Sequence, residues 1–372
     1  MIGANSLRLL AFGNPMVDMI RQVPLQYISS LGVVEGQETH LLLTVDERSL
    51  IMERALQDPT TERVPGGSAL NTARVVQAFM PPKTSLFIGA IGDDFNGDFL
   101  RSRCTDAGVD MTHVQTRAGL PTSTCLALVS PSKERTLITQ RSAHLCYTLD
   151  AASLDTCLAA THVLYVVAFA LSSAPRYECV RYLIEHHDPS RHVICLNISS
   201  SGLMQNPDVV ARLRNILCHV QVLIGNAQEV LALGAALRLD TPSVDHVASE
   251  LLVNILRTPR PLVLVTNSAA PTKVYRRDQL PVVVPVQIPH GFHLHDTTGA
   301  GDAFLGGFFA GLLQRGGLRA CVELGHQCAV QCVQHTGCQL HWSINDATSA
   351  WHICKKSDTS LVLYKDLLAV QL

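Results

Sequence analysis

The sequence predicts an α/β protein, with a mainly parallel, doubly wound sheet flanked by helices and a small α/β lid. Three observations lead there. Short β-rich runs alternate with helical periodicity along most of the 372 residues. Two segments leave that rhythm and return to it. The length suits one large α/β domain with an appendage, and is short for three domains.

Strand-like runs fall at 7–13, 85–91, 124–129, 162–169, 192–198, 220–225, 262–266 and 273–275. Each is a short apolar or β-branched stretch bounded by turn residues. Helical spacing of apolar residues falls between them, over 69–79, 97–107, 177–187, 226–233 and 244–256. Such crossovers make neighbouring strands parallel and cover both faces of the sheet with helices. The interruptions are 19–64 and 119–140. The first holds a short helix-like stretch, a strand-like 38–43 and a polar helix over 46–56. The second holds two strand-like pieces around Ser130-Pro131-Ser132-Lys133. Together they are expected to form one lid on a large domain made of 1–18, 65–118 and 141–372. Patterning is weak after Trp342, and no element is assigned there.

Hydrophobic residues make up 47% and charged residues 16%, against about 25% charged in an average chain. A sizeable buried core is expected. The net charge of −2 advertises neither nucleic acid nor an acidic membrane surface as a partner. The longest uncharged apolar run, 163–171, is far short of the roughly 20 residues that span a bilayer, and no secretory leader is visible. The twelve cysteines form no Cys-x-x-Cys pair. Most lie inside apolar runs, which reads as buried reduced thiols and a cytoplasmic location. Asn197-Ile198-Ser199 has the form of a glycosylation site, but it follows an apolar strand and is discounted on that ground.

The strongest chemical signal is Asp296-Thr297-Thr298-Gly299-Ala300-Gly301-Asp302-Ala303-Phe304, running into an apolar helix. Side chains at the Gly-Ala-Gly turn are minimal, so backbone N–H groups can close on an anion, helped by the helix dipole. Asp302 lies in the first turn. An anion hole beside a carboxylate suits phosphoryl transfer to an alcohol: the N–H groups hold the phosphoryl charge and the acid takes the proton. A plain helix N-terminus with a dipole-matched acid would look the same. No lysine follows a glycine, which excludes a GxxxxGK[ST] loop. Phe304 stands where a third glycine would complete GxGxxG, which disfavours a dinucleotide fold.

Two further segments are weaker alone. In Gly66-Gly67-Ser68-Ala69-Leu70-Asn71 a glycine pair leads into a helix, with bare backbone and an amide suited to a polyol or to an ordinary cap. Gly13-Asn14-Pro15-Met16-Val17-Asp18 follows the first strand, and an acid beyond a parallel strand's carboxyl end lies where ligands bind. His290, His293 and His295 crowd before Asp296, but a metal would need a third well-placed ligand and a packed or solvated strand explains them as well.

Residues 66–71 together with 296–302 resemble the two signatures of the ribokinase-like, PfkB-type kinases. The match is closer to the adenosine-kinase group. Gly13-Asn14-Pro15 with Asp18, Gly89-Ala90-Ile91-Gly92-Asp93-Asp94, Pro121-Thr122-Ser123-Thr124-Cys125, Arg135-Thr136-Leu137-Ile138, Gly225-Asn226-Ala227-Gln228-Glu229 and His335-Thr336-Gly337-Cys338 resemble its segments in the right order. The resemblance covers nearly all of 7–340.

It implies the following roles. Asp302 is the general base, Gly299, Ala300 and Gly301 form the anion hole, and Arg135 comes from the lid to the γ-phosphate. Asn14, Asp18, Gly66, Gly67, Ser68, Asn71 and Cys125 hold the nucleoside, and Phe169 stacks on its base. Asn226, Thr266 and His326 serve ATP, and Asn226 and Glu229 hold hydrated Mg²⁺ through water. The implied activity is ATP-dependent phosphorylation of the adenosine 5′-hydroxyl, in a monomer whose partners are a nucleoside and ATP. Another nucleoside or a sugar as acceptor, or a non-catalytic nucleoside binder, are the rivals. Four departures bear on base choice and ATP affinity: Arg141 for an apolar residue, His144-Leu145 near the base, Thr266-Asn267-Ser268 without the usual glycine, and Gln339-Leu340-His341 for an aromatic-proline step.

Overall fold

A computed structural model describes residues 6–36, 44–132, 134–239, 243–356 and 362–368. Its centre is an eight-stranded sheet. In spatial order the strands are Val282–Val284, Ala270–Arg276, Leu262–Asn267, Val222–Asn226, Val193–Asn197, Val163–Val167, Leu9–Phe12 and Ser85–Ile88. The six from Leu262–Asn267 onward are mutually parallel, and the last two pairings at the other edge are antiparallel.

Alternation along these strands builds two cores, one on each face. Leu9, Ala11, Val163 and Tyr165 face one cluster, whereas Leu10, Phe12, Leu164 and Val166 face the other. That is the two-residue period of a strand buried on both sides. Helix Ala300–Leu313 lies in the first layer, between helices Ser68–Gln77 and Leu318–Cys332. Its glycines permit close contact: a Cβ on Gly306 would stand 2.3 Å from Val75, and one on Gly307 2.6 Å from the Leu324 carbonyl oxygen.

A separate four-stranded sheet orders Glu62–Gly66, Met16–Gln22, Thr124–Val129 and Arg135–Gln140. It draws strands from both interruptions. It also takes in Met16 to Asp18, ahead of the expected lid boundary, so Asp18 lies within a lid strand instead of just past a core strand. Helix Val45–Gln57 starts on a capping box between Thr44 and Glu47. The strand-like 38–43 lies outside the described residues.

The region after Trp342 is not featureless. Helix Ile344–Lys356 buries Trp351, which would meet a Cβ on Gly316 at 2.5 Å. Helix Leu363–Leu368 sinks Leu363, Tyr364 and Leu367 into the main core. Helices Ala151–Ala160 and Pro207–Ile216 and the edge strand Val282–Val284 also arise where no element was expected. The expected helix over 244–256 is α-helical to Glu250 and finishes in a π-turn, Leu251–Ile255. All twelve cysteines are free, and among the described residues no helix is long and apolar enough to cross a membrane.

Candidate active site

The carboxyl ends of the parallel strands deliver Asn14, Phe169, Asn197, Asn226 and Thr266 to one rim of the sheet. Helix Ala300–Leu313 begins at the same rim. Gly299 caps it at φ 73°, a left-handed conformation that glycine adopts without strain. A side chain there is excluded twice over, because a Cβ would lie 2.3 Å from that of Cys338. Gly301 is exposed and has open space on its Cβ side. The turn is therefore clamped behind and bare in front.

Asp302 stands one residue further on. Ser68 Oγ donates to its Oδ1 at 2.6 Å, and Asn71 Nδ2 donates to its Oδ2 at 3.0 Å. The Asn71 amide is itself oriented, since Arg74 Nη1 donates to Asn71 Oδ1 at 3.3 Å. Burial pushes the Asp302 carboxyl up to about 6, against the pull of those two hydrogen bonds. The acid is thus held in place yet kept basic, as proton abstraction near neutrality requires. Tyr165, buried alongside, accepts from Asn197 Nδ2 at 3.2 Å. Its closeness to Asp302 had no sequence signal.

The glycine pair closes against the first loop. A Cβ on Gly67 (φ 95°) would sit 1.9 Å from the Asn14 carbonyl oxygen, and one on Gly66 2.1 Å from the Asp18 carboxyl carbon. Asp18 is partly buried, and its carboxyl is pushed up to about 7, chiefly by burial and then by the Asp302 charge, with Arg74 opposing. Cys125 pairs with Asp18 across the lid sheet. Phe169 is half-buried in the turn Ala168–Ser172, packed on both cores.

A cavity of about 170 Å³ opens beside this cluster, lined by Ser68, Asn226, Glu229, Thr266, Gly301 and Asp302 among others. Asn226 and Glu229 form a reciprocal capping box at its wall: Asn226 Oδ1 accepts from the Glu229 N–H and Glu229 Oε2 from the Asn226 N–H, both at 2.9 Å. Burial raises the Glu229 carboxyl. Beyond Thr266, Ser268 sits at φ 48°, so the chain makes a left-handed turn there without a glycine.

Arg135 of the lid forms an ion pair with Asp296, whose oxygens also accept from the Thr298 and Gly337 N–H groups. His326 is buried behind Phe304, with Nε2 2.8 Å from Thr272 Oγ1; it is not part of the cavity lining. Arg141 is exposed, and His144 is buried against Ser123 and kept neutral by burial and by Arg176 and Arg141. His295 contacts Thr336. Among the described residues no group of three side chains could hold a metal directly. Sequence reasoning also missed Arg176, a fully buried arginine touching Asn14. Its only linear trace is Ala174-Pro175-Arg176 at a helix start.

Comparison with known proteins agrees with this fold. The family model described as pfkB family carbohydrate kinase matches residues 38–345. Adenosine kinase 1 of Arabidopsis thaliana is 26% identical over 337 residues, covering 89% of this chain and 95% of that protein. The Saccharomyces cerevisiae adenosine kinase is 28% identical over 333 residues, covering 88% and 95%. The structure of Anopheles gambiae adenosine kinase in complex with P1,P4-di(adenosine-5) tetraphosphate superposes with a TM-score of 0.77 at 25% identity, covering 89% of this chain and 96% of that one.

Proposed function

Because this chain belongs to the pfkB family of carbohydrate kinases and is an adenosine kinase-like phosphotransferase with an alcohol group as acceptor, we propose that it phosphorylates the 5′-hydroxyl of adenosine from ATP, with Asp302 as general base. The carrying observation is the Asp302 carboxylate, fixed by Ser68 and Asn71 beside the bare face of Gly301.

Asp302 takes the hydroxyl proton as the new O–P bond forms, and the bond to the β-phosphate oxygen breaks to release ADP. The N–H groups of 299–301 hold the charge on the transferring phosphoryl group. Asp18 grips the ribose diol. Phe169 supplies a face for the base. Arg135, on the lid, reaches the γ-phosphate when the two sheets close and exclude water.

Asn226 and Glu229 line the cleft, and each keeps capacity beyond the capping box. That fits a hydrated divalent cation held through water. Magnesium, when bound, neutralises phosphate charge. The test is transfer of labelled phosphate from ATP across adenosine, inosine, guanosine and ribose. Adenosine should be the preferred acceptor, giving AMP.

A further inference from the structure

Arg176 is 0% exposed and lies in the first turn of helix Ala174–Glu185. Its Nη1 donates to Asn14 Oδ1 and its Nη2 to Ser172 Oγ at 3.0 Å, while Nε has no partner. Among the described residues no carboxylate pairs with it. A buried guanidinium without a counter-charge is costly, and the fold keeps one where it touches the first loop of the site.

The Asn14 backbone is already fixed, because its carbonyl oxygen occupies the space that a Gly67 side chain would need. What remains free is which way round its carboxamide lies. A guanidinium carries donors and no acceptor. Asn14 must therefore turn Oδ1 to Arg176, which leaves Nδ2 directed away from it. Arg74 acts on Asn71 in the same sense, and there the freed Nδ2 meets Asp302.

We propose that Arg176 is a positioning residue for substrate recognition, fixing the Asn14 carboxamide so that Nδ2 meets the nucleoside as a donor. The ligand atom read there is a hydrogen-bond acceptor, a hydroxyl oxygen or an unprotonated ring nitrogen. This rests on the nucleoside-kinase reading above.

The test compares nucleoside KM, ATP KM, kcat and melting temperature for Arg176→Lys, Arg176→Met and Asn14→Asp in the full chain, with adenosine as acceptor. Lysine restores a donor to Asn14 Oδ1, so nucleoside KM stays within roughly threefold of wild type. Methionine supplies none, and nucleoside KM rises about tenfold, the scale of one hydrogen bond, with ATP KM and kcat little changed. Asn14→Asp keeps its pairing with Arg176, so melting temperature holds or rises. It removes the donor, and nucleoside KM rises at least as far. If both Arg176 variants shift melting temperature alone, with nucleoside KM unchanged, the inference is overturned. Should Arg176→Met fail to fold, an unchanged nucleoside KM in Asn14→Asp overturns it equally. Wild-type protein without turnover on adenosine would instead overturn the reading on which the inference rests.

Discussion

Arg135 and Asp296 form an ion pair that ties the lid sheet to the loop preceding the Gly-Ala-Gly turn. The same Asp296 accepts from the Thr298 and Gly337 N–H groups. One carboxylate thus braces the loops that carry Thr298 and Gly337 and meets Arg135. Both partners are largely withdrawn from water, so removing one leaves the other uncompensated. Asp296→Ala should cost about 3–5 kcal/mol, read by urea denaturation. Arg135→Ala should lower kcat and raise the ATP KM, with nucleoside KM affected less. A variant whose only change is in nucleoside KM would contradict the role given to Arg135.

The two faces of the turn separate fold from chemistry. Gly299→Ala meets both a left-handed backbone and the Cys338 Cβ, so it should destabilise by roughly 2–4 kcal/mol and abolish turnover. Gly301→Ala meets nothing within 4 Å. Its melting temperature should stay near wild type while the added methyl obstructs the phosphoryl group and lowers kcat. Equal loss of stability in both would show that the turn is only structural.

Activity and stability should respond to pH in opposite senses. Asp302 works as a base only when ionised, so kcat at saturating nucleoside should rise with pH through about 6 and then level off. For stability, Asp302 at about 6 and Asp18 at about 7 both lie above the ordinary aspartate value of 3.8. The folded chain then binds more protons than the unfolded one, and the stabilisation present below about 4 is lost as pH rises through 6 to 7. Denaturation midpoints of the ligand-free protein across pH 4 to 8 check this. Asp18→Asn should flatten the decline.

Glu229→Gln separates cap from metal. A glutamine Oε1 can still accept from the Asn226 N–H, so the capping box and the melting temperature should persist. The charge is lost, and the Mg²⁺ concentration for half-maximal rate should rise severalfold, since carboxylates that hold a hydrated ion through water position it. An unaltered Mg²⁺ dependence would leave Asn226 and Glu229 as a cap alone.

Much of this was legible in the sequence. Strand-helix alternation located the parallel sheet because each strand is buried on both faces and reads as a plain apolar run, as Val163–Val167 does. The Gly299 turn, with Asp302 in the first turn of the helix it opens, was legible because small residues ahead of an apolar run mark a helix start. The tail was not: Ile344–Lys356 is organised by the contact of Trp351 with Gly311 and Gly316, a tertiary fit with no linear period. Arg176 was hidden for a similar reason, since its partner Asn14 lies 162 residues away. Ser268 was equally hidden, because its backbone sits at φ 48°, a left-handed conformation that no glycine in Thr266-Asn267-Ser268 marks.

Asp302, as proposed, removes the acceptor's proton. Asp302→Asn keeps the shape of the side chain and can still meet Ser68 and Asn71, but it cannot accept that proton. Turnover of adenosine with saturating ATP should fall at least ~10²-fold, the scale of a lost general base, while equilibrium binding of adenosine is retained. Turnover near the wild-type rate in a mutant that binds adenosine normally would exclude Asp302 as the base.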